Sequence, residues 1–156
     1  MPRLSLAILT LLFINKFCYG SELVDGLEPS SSSLLQPFSS DGCSAFPDGT
    51  FAQKQLWLRC CTEHDLAYWQ GGSYAQRAQA DAELRLCVAE VGEPEIAMLM
   101  LAGVRVGGSP YFPTQFRWAY GWPYGRFYQA LTDAEKEQVN RLKPTLPLAL
   151  PEPETK

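Results

Sequence analysis

Histidine and positive charge are scarce in this chain. Its 156 residues include 13 Lys and Arg against 17 Asp and Glu, and only one histidine, His64. The acidic balance argues against a nucleic-acid partner, because binding to phosphate backbones depends on clustered basic side chains. The apolar content of 46% is too high for a disordered chain, so a core can form, and the length favours one domain.

Apolar runs long enough to cross a bilayer are missing as well. The apolar run near the N-terminus, Leu4 to Ile14, is too short for this. It follows Arg3 and precedes the small residues Cys18 and Gly20, an order that is typical of a secretory signal. We therefore predict a signal peptide at residues 1–20 and a secreted or periplasmic protein. An uncleaved anchor is the alternative.

Cleavage of this signal changes both the charge and the cysteine count. It removes two basic residues and no acid, so the formal net charge goes from −4 to −6. Of the five cysteines, Cys18 leaves with the signal, and four remain: Cys43, Cys60, Cys61 and Cys87. An even number of cysteines in an exported chain predicts two disulfides, in one of three possible pairings.

Composition divides the remaining chain into three parts. Residues 21–40 include a run of four serines and little apolar periodicity, so we predict a flexible spacer there. Residues 143–156 contain four prolines and are predicted to form a loose, extended tail. The folded domain is then expected at residues 41–142.

Four helices are predicted within this domain, so the fold class is mainly α. The first spans Phe51 to Gln70 and ends at two glycines, and the second follows a capping box at Ser73 and runs to Val91. The third, residues 95–106, is strongly apolar and is expected to be well buried. A fourth short helix should start at Thr132, which begins another capping box.

The chemistry-bearing window is Cys60 to Tyr68, which reads CCTEHDLAY and contains the only histidine. A histidine that acts as a base needs a partner for its second ring nitrogen, and a carboxylate suits this role. Asp81 is the candidate, because it lies on the apolar face of the second helix, where an unpaired charge is unfavourable. If Cys60 and Cys87 bond, the two helices run antiparallel and Asp81 lies near His64. The alternatives are a structural His64 and an Asp81 that is merely a first-turn acid favoured by the helix dipole.

Asp65 projects about 100° away from His64 around the first helix, so the two side chains address different targets. Asp65 is therefore free to bind a hard cation together with oxygens from the glycine-rich loop at residues 41–49. A Cys43–Cys61 disulfide would hold that loop beside Asp65. A zinc site formed by Cys60, Cys61 and His64 is a weaker alternative, because an oxidising compartment favours disulfides.

Two strings in this part of the chain match a known pattern. CCTEHDLAY, followed by DAELRLC, resembles the secreted phospholipase A2 superfamily, and the loop DGCS resembles the shorter calcium loop of its bacterial and fungal branch. The resemblance covers about Asp41 to Cys87. It implies a phospholipase A2-like fold, with two antiparallel disulfide-linked helices and a calcium-binding loop, and on this basis we expect the disulfides to be Cys60–Cys87 and Cys43–Cys61.

The resemblance also implies roles for individual residues. His64 would be the general base that activates water, Asp81 would orient it, and Tyr68 would hydrogen-bond to Asp81. Asp65 would be a calcium ligand.

In the loop, the resemblance assigns metal binding to the Asp41 carboxylate and the Gly42 carbonyl. A loop backbone N–H, at Cys43 or Ser44, would be a second donor to the oxyanion. One further disulfide of the family is missing here, because both of its positions are alanines, Ala67 and Ala80.

The implied function is calcium-dependent hydrolysis of the sn-2 ester of glycerophospholipids, releasing fatty acid and lysophospholipid. Phospholipid aggregates or membrane surfaces would be the partners, and we expect a monomer. The aromatic segment at residues 112–127 favours either a membrane boundary or packing over the long helices. The competing functions are a non-catalytic lipid- or protein-binding module and a structural disulfide domain with an inert His64.

Overall fold

The computed structural model describes residues 34–146. In this range it contains four α-helices and no strand: α1 Leu58–Gln70, α2 Tyr74–Glu90, α3 Pro94–Gly107 and α4 Asp133–Leu142. The predicted mainly α class is confirmed. The predicted signal peptide at residues 1–20 lies outside the described residues, as do residues 21–33 of the spacer and 147–156 of the tail. None of the described helices combines the length and the apolar character that a membrane crossing needs.

Local capping sets most helix boundaries where the sequence predicts them. Ser73 accepts a hydrogen bond from the backbone N–H of Gln76, whose side chain accepts one from Ser73, and α2 starts there. Thr132 and Glu135 form the same reciprocal pair at the start of α4. Each pair satisfies two backbone N–H groups that the first turn of a helix leaves unbound.

The start of α1 is the exception, because the prediction placed it at Phe51 and the structure places it at Leu58. Residues 51–57 instead form turns that close the preceding loop. Trp57 anchors them: its backbone N–H donates to the Asp48 carbonyl at 3.1 Å, and its indole N–H donates to the Pro47 carbonyl at 2.6 Å. These bonds fold residues 47–57 back on themselves, which apolar periodicity does not show.

Two disulfides, Cys43–Cys61 and Cys60–Cys87, hold the loop and the first two helices together. Both are the pairs expected from the sequence. Cys60 is near the start of α1 and Cys87 is near the end of α2, so this bond joins the helices in an antiparallel arrangement. Such bonds form and persist in oxidising compartments, which agrees with an exported protein.

The core consists of two clusters, one at each end of the α1–α2 pair. The first surrounds the disulfides and contains Trp57, Leu84, Val88, Ala97 and Met100. The second surrounds the C-terminal end of α1 and contains Leu35, Leu66, Trp69, Trp118, Trp122 and Val139.

The aromatic segment forms much of the second cluster and also binds the end of α1. The backbone N–H groups of Ala119 and Gly121 donate to the carbonyls of Tyr68 and Trp69. The indoles of Trp118 and Trp122 donate to the carbonyls of Gly72 and Gln70. Carbonyls at a helix C-terminus have no partner within the helix, so the aromatic segment supplies the N–H donors that these carbonyls need.

Helix α3 departs from its predicted burial. Only Ala97 and Met100 are buried, whereas the side chains of Met98 and Val106 are 56% and 72% exposed. The helix packs against α2 along one side. No other described element covers its opposite side, so an apolar surface remains in contact with solvent.

Residues 34–40, predicted to belong to the flexible spacer, pack along the second cluster. Leu35 is buried, and the Gln36 backbone bonds to both Gly121 and the Trp69 indole. Phe38 contacts Trp69 edge to face. Through Leu35 and Phe38, residues 34–40 are therefore part of the packed domain, which begins before Asp41.

Candidate functional site

His64, Tyr68 and Asp81 meet in the buried groove between α1 and α2. His64 Nε2 lies 3.1 Å from Asp81 Oδ1, and the Tyr68 hydroxyl donates to the same oxygen at 2.7 Å. The spacing explains the contact: His64 and Tyr68 are one turn apart on α1 and face the same position of α2. The Asp81 carboxylate is fully buried and contacts the imidazole ring through Oδ1. When the Nε2–H group donates a hydrogen bond to Asp81, Nδ1 carries the free lone pair and is the basic nitrogen.

Tyr68 is held as a neutral donor at this site. Burial, followed by the charge of Asp81, raises the pKa of the Tyr68 hydroxyl. Its ring lies against His64, with 4.2 Å between ring centroids, and meets Trp118 edge to face. A Cβ at Gly108 would lie 2.5 Å from the Tyr68 ring, so only glycine permits this close approach.

Two arginines that the sequence analysis did not single out also act on Asp81. Arg105, on α3, places Nε 2.9 Å from Asp81 Oδ2, in an ion pair without hydrogen-bond alignment. Arg77, one turn before Asp81 on α2, places Nε 4.0 Å from the same oxygen. The Asp81 charge is therefore shared among a histidine, a tyrosine and two guanidinium groups.

Arg77 also connects three parts of the fold. Its guanidinium donates to the hydroxyls of Tyr68 and Tyr128 and to the carbonyls of Val104 and Arg105 at the end of α3. Cations near a helix C-terminus are stabilised by the helix dipole. Arg77 thus holds the end of α3 against the His64–Asp81 pair.

Asp65 lies beside the loop that carries Asp41 and Asp48. Its Oδ2 accepts a hydrogen bond from the Ser40 hydroxyl at 2.6 Å. Burial raises the pKa of Asp65 to about 7, the Ser40 hydrogen bond lowers it, and the charges of Asp41 and Asp48 raise it further. Burial first, and then the charges of Asp41 and Asp48, therefore disfavour the charged form of Asp65.

Hydrogen bonds within the loop fix its shape. Asp48 Oδ1 accepts from the Cys43 backbone N–H at 2.8 Å, and Asp41 Oδ1 accepts from the Ser44 hydroxyl at 2.7 Å. Gly42 has φ of +81°, and its carbonyl accepts from the Ser44 N–H. Positive φ at this position favours glycine.

The loop and Asp65 offer only oxygen donors, and such a set suits a hard cation such as calcium. Between residues 34 and 146, however, no three His, Cys, Asp or Glu side chains approach closely enough to hold a metal ion by themselves. A bound cation would therefore need backbone carbonyls as well, which calcium accepts readily. The unfavourable charge of the buried Asp65, to which Asp41 and Asp48 add, is the observation that favours such a cation, because a positive ion would offset it.

A cavity of about 400 Å³ reaches His64 and Asp65 from the surface. Its wall is mostly apolar and includes Phe46, Leu84, Leu99, Met100, Val104 and Phe116. Helix α3 forms one side of it. Leu99 and Phe116 line this cavity and are also exposed at the surface. The cavity is therefore continuous with the uncovered apolar side of α3.

The structure thus brings His64, Tyr68 and Asp81 into contact, with Asp65 on the neighbouring face of α1 and Asp41 and Gly42 in the adjacent loop. Sequence reasoning missed Arg77, Arg105 and Asp48. Arg77 had a detectable signal, because it precedes Asp81 by four residues on one helix. Arg105 had none, since its contact depends on how α3 packs.

Comparisons with known protein families, with curated protein sequences and with solved structures found no match.

Proposed function

We propose that this protein hydrolyses a carboxylic ester of phospholipids, with His64 as the general base. The observation that carries the proposal is the buried His64–Asp81 pair at the polar end of an apolar cavity. A base with an oriented imidazole suits the activation of water, and an apolar cavity suits an acyl chain. The resemblance of the sequence to secreted phospholipases A2 supports a phospholipase A2-like fold and attack at the sn-2 ester.

In this proposal each residue at the pair has one task. His64 Nδ1 takes a proton from water while Nε2 remains bonded to Asp81 Oδ1. Asp81 keeps the ring in the productive tautomer and stabilises the imidazolium that forms. Tyr68 fixes the Asp81 carboxylate, and Arg77 fixes Tyr68 and the end of α3.

Calcium is the proposed cofactor, held by Asp65, Asp41 and the Gly42 carbonyl. When bound, it supplies Lewis-acid polarisation of the ester carbonyl and stabilises the developing negative charge. The backbone N–H of Ser44 bonds to Gly42 and that of Cys43 bonds to Asp48, so both are already engaged within the loop. Neither N–H is therefore free to donate to an oxyanion in this conformation.

The competing proposal is a lipid-binding module without catalysis. The specific observation in its favour is the ion pair between Arg105 and Asp81, because a neutralised Asp81 stabilises an imidazolium less. Both proposals use the same apolar cavity. They differ in whether His64 is needed for turnover or only for structure.

The deciding experiment is fatty-acid release from mixed phospholipid micelles by the mature protein, with calcium and then with chelator. His64→Gln is the main variant, and circular dichroism and thermal melting check its fold. We expect release by the parent protein in calcium and a loss of at least 100-fold in His64→Gln. A folded His64→Gln variant with full activity, or a parent protein that binds micelles and releases nothing, would contradict the hydrolase.

A second variant, Asp65→Asn, tests the cation site separately. Its amide oxygen can still accept from Ser40, while the buried charge, which Asp41 and Asp48 also disfavour, is gone. We expect a higher melting temperature than the parent protein in chelator, and no further rise when calcium is added. A calcium-induced rise equal to that of the parent protein would remove Asp65 from the proposed ligands.

A further inference from the structure

Helix α3 contains a glycine, Gly103, that the packing of the fold does not explain. Glycine in a helix interior is less stable than alanine, because its backbone loses more conformational freedom on folding. Gly108, just after this helix, has a packing reason, since a Cβ there would lie 2.5 Å from the Tyr68 ring. A Cβ at Gly103, inside the helix, would meet nothing within 4 Å. In the described part of the chain, no neighbour therefore requires glycine at this position.

Gly103 lies in the wall of the cavity that contains His64. Leu99 and Met100, on the preceding turn of α3, line the same cavity. Around the helix axis, position 103 falls between them, about 40° from Leu99 and about 60° from Met100. Side chains on a helix lean towards its N-terminus, so a side chain at position 103 would lie over these two residues. It would therefore project into the cavity, and the glycine keeps that space open.

The open space continues along α3 to Gly107, which also lines the cavity. A Cβ at Gly107 would lie 3.8 Å from the Phe116 ring, an ordinary contact distance. Between Leu99 and Gly107 the helix advances about 12 Å. All the residues that α3 contributes to the wall are apolar. This side of the cavity therefore offers a groove for an unbranched chain of methylene groups, which needs apolar contacts along its length.

The candidate base lies at the wall of the same space. His64 is 8% exposed and lines the cavity, and among the described residues its side chain hydrogen-bonds only to Asp81. No lysine or arginine is among the described residues that line this cavity. A charged headgroup would therefore find no ion pair there, and apolar contact is the main attraction that the cavity offers.

We propose that Gly103 is a specificity-determining residue, whose missing side chain leaves room for the long, unbranched acyl chain of a lipid. The chain lies along α3 between Leu99 and Gly107, and each methylene group that it buries there adds to its affinity. A larger side chain at position 103 shortens the chain that the cavity accepts. This inference rests on the proposed function, because it concerns the substrate of the same cavity.

The test is equilibrium dialysis of the mature protein against radiolabelled decanoyl and palmitoyl lysophosphatidylcholine. Both lipids are used in chelator and below the concentrations at which they form micelles. The measurement needs neither calcium nor hydrolysis, so it is informative even if the proposed reaction is wrong. We expect the parent protein to bind the palmitoyl lipid at least 10-fold more tightly than the decanoyl lipid, because the longer chain buries more apolar surface.

Two variants at position 103 and one control assign this preference to the glycine. Gly103→Leu is expected to reduce the preference for the palmitoyl lipid to less than about 3-fold, because the leucine occupies part of the groove. Ala102→Leu adds the same side chain at the next position of α3, which is exposed and does not line the cavity, and should keep the affinities of the parent protein within about 2-fold.

Gly103→Ala keeps the test valid if Gly103→Leu does not fold. We expect a higher melting temperature, because alanine is the better helix former and its Cβ has open space, together with about 2- to 5-fold weaker palmitoyl binding.

Three outcomes would overturn the assignment of Gly103. They are equal binding of the two lipids by the parent protein, a Gly103→Leu variant that binds as Ala102→Leu does, and a lower melting temperature or unchanged palmitoyl binding in Gly103→Ala. A protein that shows the expected chain preference but releases no fatty acid from micelles would contradict only the proposed hydrolysis. The two failures are therefore distinguishable.

Discussion

At the scale of single residues, Asp81 connects the histidine, the tyrosine and the two arginines of the site. One of its oxygens contacts His64 and Tyr68, and the other faces Arg105 and Arg77. The His64 contact could be predicted from the sequence, because the Cys60–Cys87 disulfide places Asp81 near His64, and the Tyr68 contact was implied by the resemblance to secreted phospholipases A2. The sequence could not predict Arg105, which is 24 residues further along the chain and reaches Asp81 only through the packing of α3.

Arg77 gives a prediction at this scale, because a single guanidinium group makes all of its contacts. Arg77→Met removes the donors to Tyr68, Tyr128 and two α3 carbonyls and leaves buried acceptors unbonded. We expect about 3 kcal/mol less stability towards urea. Arg77→Lys keeps the charge without the fork and should lose roughly half of this. Arg85→Met on the same helix is the matched control, expected within about 0.5 kcal/mol of the parent protein; an equal loss there would refute the explanation.

At the scale of elements, capping patterns predicted α2 and α4 well, since both boxes involve residues close in sequence. The start of α1 was wrong, because Trp57 bonds to the loop at Pro47 and Asp48 rather than extending the helix. The predicted burial of α3 was wrong for a different reason. Composition indicates that a helix is apolar, but burial depends on how many elements cover it. Among the described helices, only α2 packs extensively against α3.

The aromatic segment donates hydrogen bonds to the C-terminal end of α1, and this leads to a prediction at the scale of elements. Trp122→Phe removes the indole N–H that donates to the Gln70 carbonyl at 2.8 Å and keeps an aromatic ring in the cluster. We expect about 1–2 kcal/mol less stability in urea denaturation, from the lost bond and the smaller ring. Tyr124→Phe removes an exposed hydrogen bond to Tyr111 in the same segment and should change stability by less than about 0.5 kcal/mol. Equal effects of the two changes would mean that the Gln70 bond is unimportant.

At the scale of the whole molecule, the uncovered side of α3 and the cavity that contains His64 form one continuous apolar region. Met98, Leu99 and Val106 project within about 100° of each other around the helix. Leu99 belongs both to this exposed side and to the wall of the cavity. A lipid molecule leaving a bilayer at this side of α3 would reach His64 without crossing a polar surface, which links the exposed helix to the proposed function.

This continuity predicts which substitutions weaken binding to lipid surfaces. Met98→Ser combined with Val106→Ser removes two exposed apolar side chains that do not line the cavity. We expect at least 10-fold weaker binding to phosphatidylcholine vesicles in a sedimentation assay, because each substitution removes apolar area that the bilayer would bury. Leu86→Ser on α2 is the matched control: Leu86 is similarly exposed, at 50%, but is outside this region. Because the chain is acidic, affinity should not rise with anionic lipid at low salt. Unchanged binding of the double variant, or an equal loss in Leu86→Ser, would show that α3 does not face the membrane, and size-exclusion chromatography would then test whether this side pairs with a second copy.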